Sequence, residues 1–400
     1  MRQLAISGLV TLAAALTLAT GSVAASAAPG MSDAPAAAAK PEHMLSSIAC
    51  ISAKSCVAVG ENAAANHGNG LALAETWNGS RWKAATIKAP PGSIGSSLSG
   101  VSCVSSKSCI AVGSYFYFLP DEDTRNVAIS ESWNGSAWRM TKMSQPADSS
   151  ASPASISCVS AKHCVAVGEL FMPGHQTAFA EIWNGTRWNI TKVDEPAHSV
   201  SYFSSVSCAA AKNCIAVDRY NTHALAQSWN GARWKILKVA APAATGPSLS
   251  AVYCRTAKYC IATGGHFPNQ KNLAALVESW NGKTWKSVKV PVPGPGFANL
   301  NAVSCASTKS CLAVGDYHFG VYEDSGKVYA ASWNGKQWRL VRVPTPPGGK
   351  GSESGAALVS VKCLTASDCI AVGDAGPAGV PGNGFSASWN GHRWRFITIG

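Results

Sequence analysis

The sequence predicts an all-β chain folded as a seven-bladed β-propeller of four-stranded antiparallel blades, with one hairpin disulfide per blade. Three observations carry that prediction. A unit of about fifty residues recurs seven times, the period of a propeller or solenoid. Each unit holds four short apolar segments, as a propeller blade requires. All fourteen Cys and all fourteen Trp fall in two motifs of the unit. In the second copy the first motif is Leu98-Ser-Gly-Val101-Ser-Cys103, five residues, then Cys109-Ile-Ala-Val-Gly113. Its first Cys recurs as Cys50, Cys103, Cys158, Cys208, Cys254, Cys305 and Cys363. The second motif, Trp-Asn-Gly-x-x-Trp, starts at Trp77, Trp133, Trp183, Trp229, Trp280, Trp333 and Trp389. The blades are expected at approximately 44–92, 93–147, 148–197, 198–243, 244–293, 294–347 and 348–400.

The elements follow in order. Residues 1–27 read as a secretory signal peptide: Arg2 supplies the positive start, Leu4 to Ala24 the apolar stretch, and Ala25-Ser-Ala27 the small-residue cleavage site. A membrane anchor is the rival reading of that stretch. The small-residue site and the Ala/Pro-rich stretch after it favour export. Residues 28–43, with Pro29, Pro35 and Pro41, read as a flexible linker. No later apolar run is long enough to span a bilayer, so the mature chain is not expected to be membrane-embedded. Export favours disulfides for fourteen Cys at a uniform spacing, and that spacing does not suit zinc. The expected bridges are Cys50–Cys56, Cys103–Cys109, Cys158–Cys164, Cys208–Cys214, Cys254–Cys260, Cys305–Cys311 and Cys363–Cys369.

Within a blade, strand A carries the first Cys and strand B the Cys-x-Ala-Val-Gly run. Strand C ends in the first Trp, and strand D begins at the second. Asn-Gly between the Trp residues is a strong hairpin signal and suggests a type I′ turn; whether the loop has two or four residues, Trp133 and Trp138 project from the same face. Along strand B, Ile110 and Val112 point one way while Cys109, Ala111 and Gly113 point the other. The indoles of one blade are expected to pack on the small Cys-Ala-Gly face of its neighbour, as core and not as sugar platforms. Glu75, Glu131, Glu181 and Glu278 stand two residues before the strand C Trp, with Gln227, Ala331 and Ala387 in the other copies. One per blade, they point to an inter-blade hydrogen bond or ion pair. Ring closure is expected from packing between blades one and seven.

The Cys-x-Ala-Val-Gly strand followed by Trp-Asn-Gly-x-x-Trp, across residues 45–400, resembles the repeats of secreted bacterial β-propellers related to the Asp-box and kelch classes. That resemblance implies the fold and no particular activity. Sialidases of the Asp-box group use three clustered arginines. The variable loops here offer only Arg125 and Arg219, with Arg255 inside an A–B hairpin. The kelch-type copper oxidase of galactose needs a Cys cross-linked to Tyr, whereas every Cys here has a hairpin partner.

The two ends of the expected propeller differ. The A–B loop is always five residues and the C–D turn never changes length, whereas the B–C loops vary from 218–223 to 114–126. Binding residues concentrate on variable loops held by a rigid scaffold, so the B–C/D–A end is the expected working face. Its candidate binding residues are Tyr115, Phe116, Tyr117, Phe118, His175, Tyr220, His223, His266, Phe267, Tyr317, His318 and Tyr322. The aromatics would stack on sugar rings or anchor a protein, or fold back as local core beneath the loops. Five loop histidines (His67, His175, His223, His266, His318) would make a metal or acid–base site only if they converged; their offsets differ and no H-x-H or H-x-x-x-H pair exists.

On the constant face, Lys54, Lys107, Lys162, Lys212, Lys258 and Lys309 occupy one position in six A–B turns. They read as solvated hairpin tips or as a ring that attracts a polyanion. The formal charge of +12 hints at an acidic glycan or envelope polymer. No nucleic-acid-reading motif is present. The sequence therefore predicts a secreted, monomeric binding protein for an extracellular glycan, envelope polymer or protein, with no cofactor. The alternative is a polysaccharide hydrolase or lyase with its site at the propeller axis.

Overall fold

A computed structural model describes residues 43–63, 70–119, 124–196, 199–241, 246–268, 272–319, 326–347, 354–377, 383–397 and 399. The signal-peptide and linker readings, His67 and Tyr322 lie outside the described residues, save that His43 opens the first strand. The strands form seven four-stranded antiparallel sheets, each a simple meander. In blade 1 strands A to D are β1 (His43–Ser52), β2 (Ser55–Asn62), β3 (Leu71–Trp77) and β4 (Trp82–Thr86). The same order repeats up to the last strand, Trp394–Ile397.

Each A–B pair places its two cysteines directly opposite, as Cys50 faces Cys56. All seven bridges join a Cys to the one six positions on. Each closes so short a loop that chain entropy contributes only about 2 kcal/mol. The glycine ending strand B answers a second feature of the hairpin. Strand A bulges beside it, as between Leu98 and Gly100, and a Cβ on Gly113 would collide with the Ser97 carbonyl. Blade 4 alone replaces this glycine, with Asp218.

The turn joining strands C and D differs from the type I′ expectation. Trp77 pairs with Trp82, leaving a four-residue loop in which Asn78 N–H donates to the Arg81 carbonyl. Only the glycine takes positive φ, 97° at Gly79. The Asn78 side-chain oxygen accepts from the N–H groups of Ser80 and Arg81, so an Asx-type cap stabilises the loop. The lysine of the A–B turn lays its stem over that glycine, as Lys54 does over Gly79, and the Trp77 indole N–H donates to the Ala53 carbonyl. Turn packing therefore accounts for the lysine row.

The indoles pack the opposite way from the expectation. Trp77 stands beside Cys56 and Trp82 beside Trp77, so both share their own blade's small face. That face meets the branched face of the preceding blade. Trp229 and Trp234 lie with Cys214 and Ala216 against Val165 and Val167 of blade 3. Two indoles beside small residues build one level surface; branched side chains then pack onto it. The paired rings sit about as Trp77 and Trp82 do, with centroids 5.4 Å apart.

Inner A strands meet around the axis through serines missed in the sequence reading. The Cys158 N–H donates to Ser102 Oγ, Cys208 N–H to Ser157 Oγ and Cys363 N–H to Ser304 Oγ. These bonds satisfy edge amides that the blade's own ladder leaves open. The ring closes by the same devices. Ile48 N–H donates to Ser360 Oγ (3.2 Å) and Trp82 Nε1–H to Ser386 Oγ (2.8 Å), while Ile370 and Val372 pack against the Trp77–Trp82 face.

Candidate binding face and clefts

The variable end is more ordered than a set of loops. Tyr115, Phe116, Tyr117 and Phe118 all lie in the strand Ser108–Phe118, paired with residues 124–127. Alternation sends Tyr115 and Tyr117 to one face, where their rings meet edge-on at 4.9 Å. Phe116 and Phe118 take the other, and Phe118 is 63 % exposed. Tyr220 and His223 end and begin adjacent strands and stack at 5.1 Å across a two-residue turn in which Asn221 takes positive φ.

Tyr317 departs from the expectation of a binding residue. It is 2 % exposed, and its hydroxyl donates to the Pro295 carbonyl, so it serves the core. Its ring instead supports Phe319, which is 53 % exposed and carries the Lys327 ammonium 4.7 Å above its centroid. Phe319 and Phe171 join the exposed aromatics, as does Phe267 at the end of blade 5. Phe171 escaped sequence reading because no other Phe, Tyr or Trp lies near it at the turn, the next being Phe179.

The histidines are dispersed. His318 Nε2 lies 2.9 Å from Asp316, His175 lies 3.5 Å from Glu195, and burial lowers the pKa of His266. Among the described residues no group of three or more His, Cys, Asp or Glu is placed to hold a metal ion. Carboxyl groups gather near the ends of the B strands. Burial, with Glu169 close by, pushes Asp218 up to about 8; burial and Asp316 raise Asp374.

Two clefts stand out. One of about 510 Å³ opens at the variable end of blade 6, lined by Phe319, Tyr329, Val328, Val343 and Pro346, with Lys327 and Arg342. The Tyr329 hydroxyl is held by the Pro291 carbonyl. The other, of about 820 Å³, lies on the outer wall between blades 1 and 2.

The strand C acceptors serve the seams between blades. Glu181 accepts from Ser144 N–H, Gln227 from Asp194 N–H, and Glu278 from the backbone of Ala240, each in the connection from the preceding blade. Glu75, at the closing seam, lies 3.2 Å from His43 Nδ1. Burial pushes Glu75 and Glu131 up to about 7 and Glu181 to about 8. One per seam, they form no common site.

No known family model matches this chain, and no curated protein matches it in sequence. Solved structures do match in fold. A structure titled YCF48 bound to D1 peptide superposes with a TM-score of 0.53 at 9 % identity, covering 88 % of this chain and 94 % of that one. The GH74 xyloglucanase from Xanthomonas campestris gives 0.57 at 11 % identity, covering 90 % of this chain. A GH74 enzyme from Niastella koreensis gives 0.56 at 9 % and covers 88 %. This chain spans about half the length of the two GH74 enzymes (55 % and 54 %). At these identities the likeness is one of fold. The chain is a seven-bladed β-propeller.

Proposed function

We propose that this is an exported binding protein that takes a carbohydrate, envelope polymer or protein segment on the variable B–C/D–A face. The blade 6 cleft carries the reading. An exposed Phe319 braced by Tyr317, with Lys327 and Arg342 at its side, offers an apolar shelf beside two cations. Such a shelf suits an extended acidic chain. Seven disulfides support residence in an oxidising compartment, and no helix among the described residues is long and apolar enough to cross a membrane. The propeller bound to a peptide lends support to peptide capture, and the xyloglucanase to a polysaccharide. The kelch and Asp-box likeness rests on the repeat motif alone.

A glycan and peptide array on the mature protein tests this. Phe319→Ser and Lys327→Gln should abolish the main signal with the melting temperature unchanged; binding that survives both would refute the assignment. One observation favours a hydrolase as the second reading. Asp218 is a buried carboxyl with the half-buried Glu169 close by, and a raised carboxyl is the usual general acid of glycoside cleavage. Polysaccharide turnover lost in Asp218→Asn would establish it.

A further inference from the structure

The seven seams between blades should be equivalent, and one is not. Six of the seven strand D tryptophans are buried: Trp82, Trp188, Trp234, Trp285, Trp338 and Trp394. Trp138 is only partly covered. The cause lies in the preceding blade, three residues beyond its own strand D Trp. That position holds Thr141, Thr191, Leu237, Val288, Val341 and Ile397 in six blades, and several of these pack on the next blade's indoles. In blade 1 it holds Ala85, whose side chain stops at Cβ. A cleft of about 820 Å³ opens there, whereas the corresponding space between blades 4 and 5, under Leu237, measures about 210 Å³; the shorter side chain supplies part of that difference.

The seam also lacks a polar partner. Trp188 Nε1–H donates to Ser130 Oγ and Trp234 Nε1–H to Thr191 Oγ1. For Trp138 the residue in Ser130's place is Ala74, and the buried Nε1–H, like those of Trp285 and Trp394, has no acceptor among the described residues. Such a donor is costly to leave unpaired. The cleft thus combines an indole face with walls from Pro90, Pro91 and Met140. Lys83 and Lys88 stand at its sides. Its one carboxyl is Glu131, buried in the floor.

We propose that this cleft is a binding site for an acidic saccharide, a pyranose stacked on Trp138 with its carboxylate toward Lys83 and Lys88. The flat apolar face of a pyranose matches the partly exposed indole of Trp138. The volume falls within the range of small-molecule sites and holds a short oligosaccharide. Two cations with no opposing exposed carboxylate favour an anionic ring over a neutral one. The site lies on the outer wall, away from the blade 6 cleft, and does not depend on the reading of the variable face.

Calorimetric titration of the mature protein with a galacturonate trimer tests it. The wild type should bind saturably, and more weakly as salt rises. Ala85→Leu, which copies the filling of the blade 4 seam, should weaken binding by at least about tenfold. Lys83→Gln with Lys88→Gln should do the same without moving the melting temperature, which keeps the test intact if Ala85→Leu misfolds. Phe319→Ser should leave this binding unchanged, so failure here and failure at the variable face are read separately. Absence of binding, equal binding of a neutral glucose trimer, undiminished binding in both cleft variants, or occupation by a proline-rich peptide alone would each overturn the proposal.

Discussion

Replacing Glu181 with Gln should remove part of the protein's loss of stability on going alkaline. The carboxyl is fully buried, and it accepts the Ser144 N–H of the preceding connection at 3.0 Å. Burial moves it from an ordinary 4.5 to about 8 in the folded chain. The folded state therefore holds a proton that the unfolded state releases. Stability from this group is fully present below the unfolded value and is lost as pH rises through about 8. A separation of that size is worth up to about 5 kcal/mol. Glutamine cannot ionise, yet it keeps the acceptor; Gln227 does so at the next seam, accepting from Asp194 N–H and donating to the Asp194 carbonyl. Thermal melts from acidic to mildly alkaline pH should show Glu181→Gln close to the wild type at the acid end. At the alkaline end it should lie higher, by roughly 2 °C per kcal/mol recovered. Identical pH slopes in the two proteins would refute the argument, because the buried carboxyl would then not be the titrating group.

Three further outcomes follow from the packing. Gly113→Ala should destabilise by about 3 kcal/mol or more, since its Cβ meets a backbone carbonyl that cannot move alone; a denaturant melt reads this directly. Trp188→Ala should cost about 3–5 kcal/mol, and Trp138→Ala clearly less, because only the first indole is fully covered. Peptide mapping without reductant should recover seven bridges, each within one hairpin, and an inter-blade bridge would contradict the register.

The repeat made the fold legible. Residues that recur in every copy answer a need that recurs in every blade, so Cys50 with Cys56 and the Trp pairs could each be placed before any contact was known, as could Gly113, which recurs in six. Direction was harder. Alternation in strand B separates a branched face from a small one, but it does not say which neighbour each face meets, and the indoles lie on their own blade's small face. The length of the turn after Trp77 stayed open in the sequence. Asn-Gly serves both two- and four-residue loops, and only the Trp77–Trp82 pairing distinguishes them. The candidate site was least legible, for a physical reason. Tyr317 and Phe319 are two residues apart and both aromatic, yet a core bond to Pro295 buries one and leaves the other open. The blade 1 cleft opens where a longer side chain is absent, and a lone alanine at position 85 gives no signal until the seven seams are compared in space.

That comparison also explains the variation at the buried strand C position. The backbone amide it receives lies six residues after the strand D Trp of the preceding blade: Ser144 for Glu181, Asp194 for Gln227, Ala240 for Glu278. In the connections leading to blades 6 and 7 the corresponding residues are Pro291 and Pro344, which have no N–H to donate. The strand C position there holds Ala331 and Ala387, which carry no acceptor. A buried carboxyl facing a proline would lose its hydrogen bond and keep its desolvation cost; alanine avoids both. Acceptor and donor thus change together from seam to seam. The polar residues of strand C are consequently set by the backbone of the neighbouring connection. A ligand could impose no such correspondence between a glutamate in one blade and a proline in another, which places these carboxyls in the architecture and leaves recognition to the exposed aromatics and clefts.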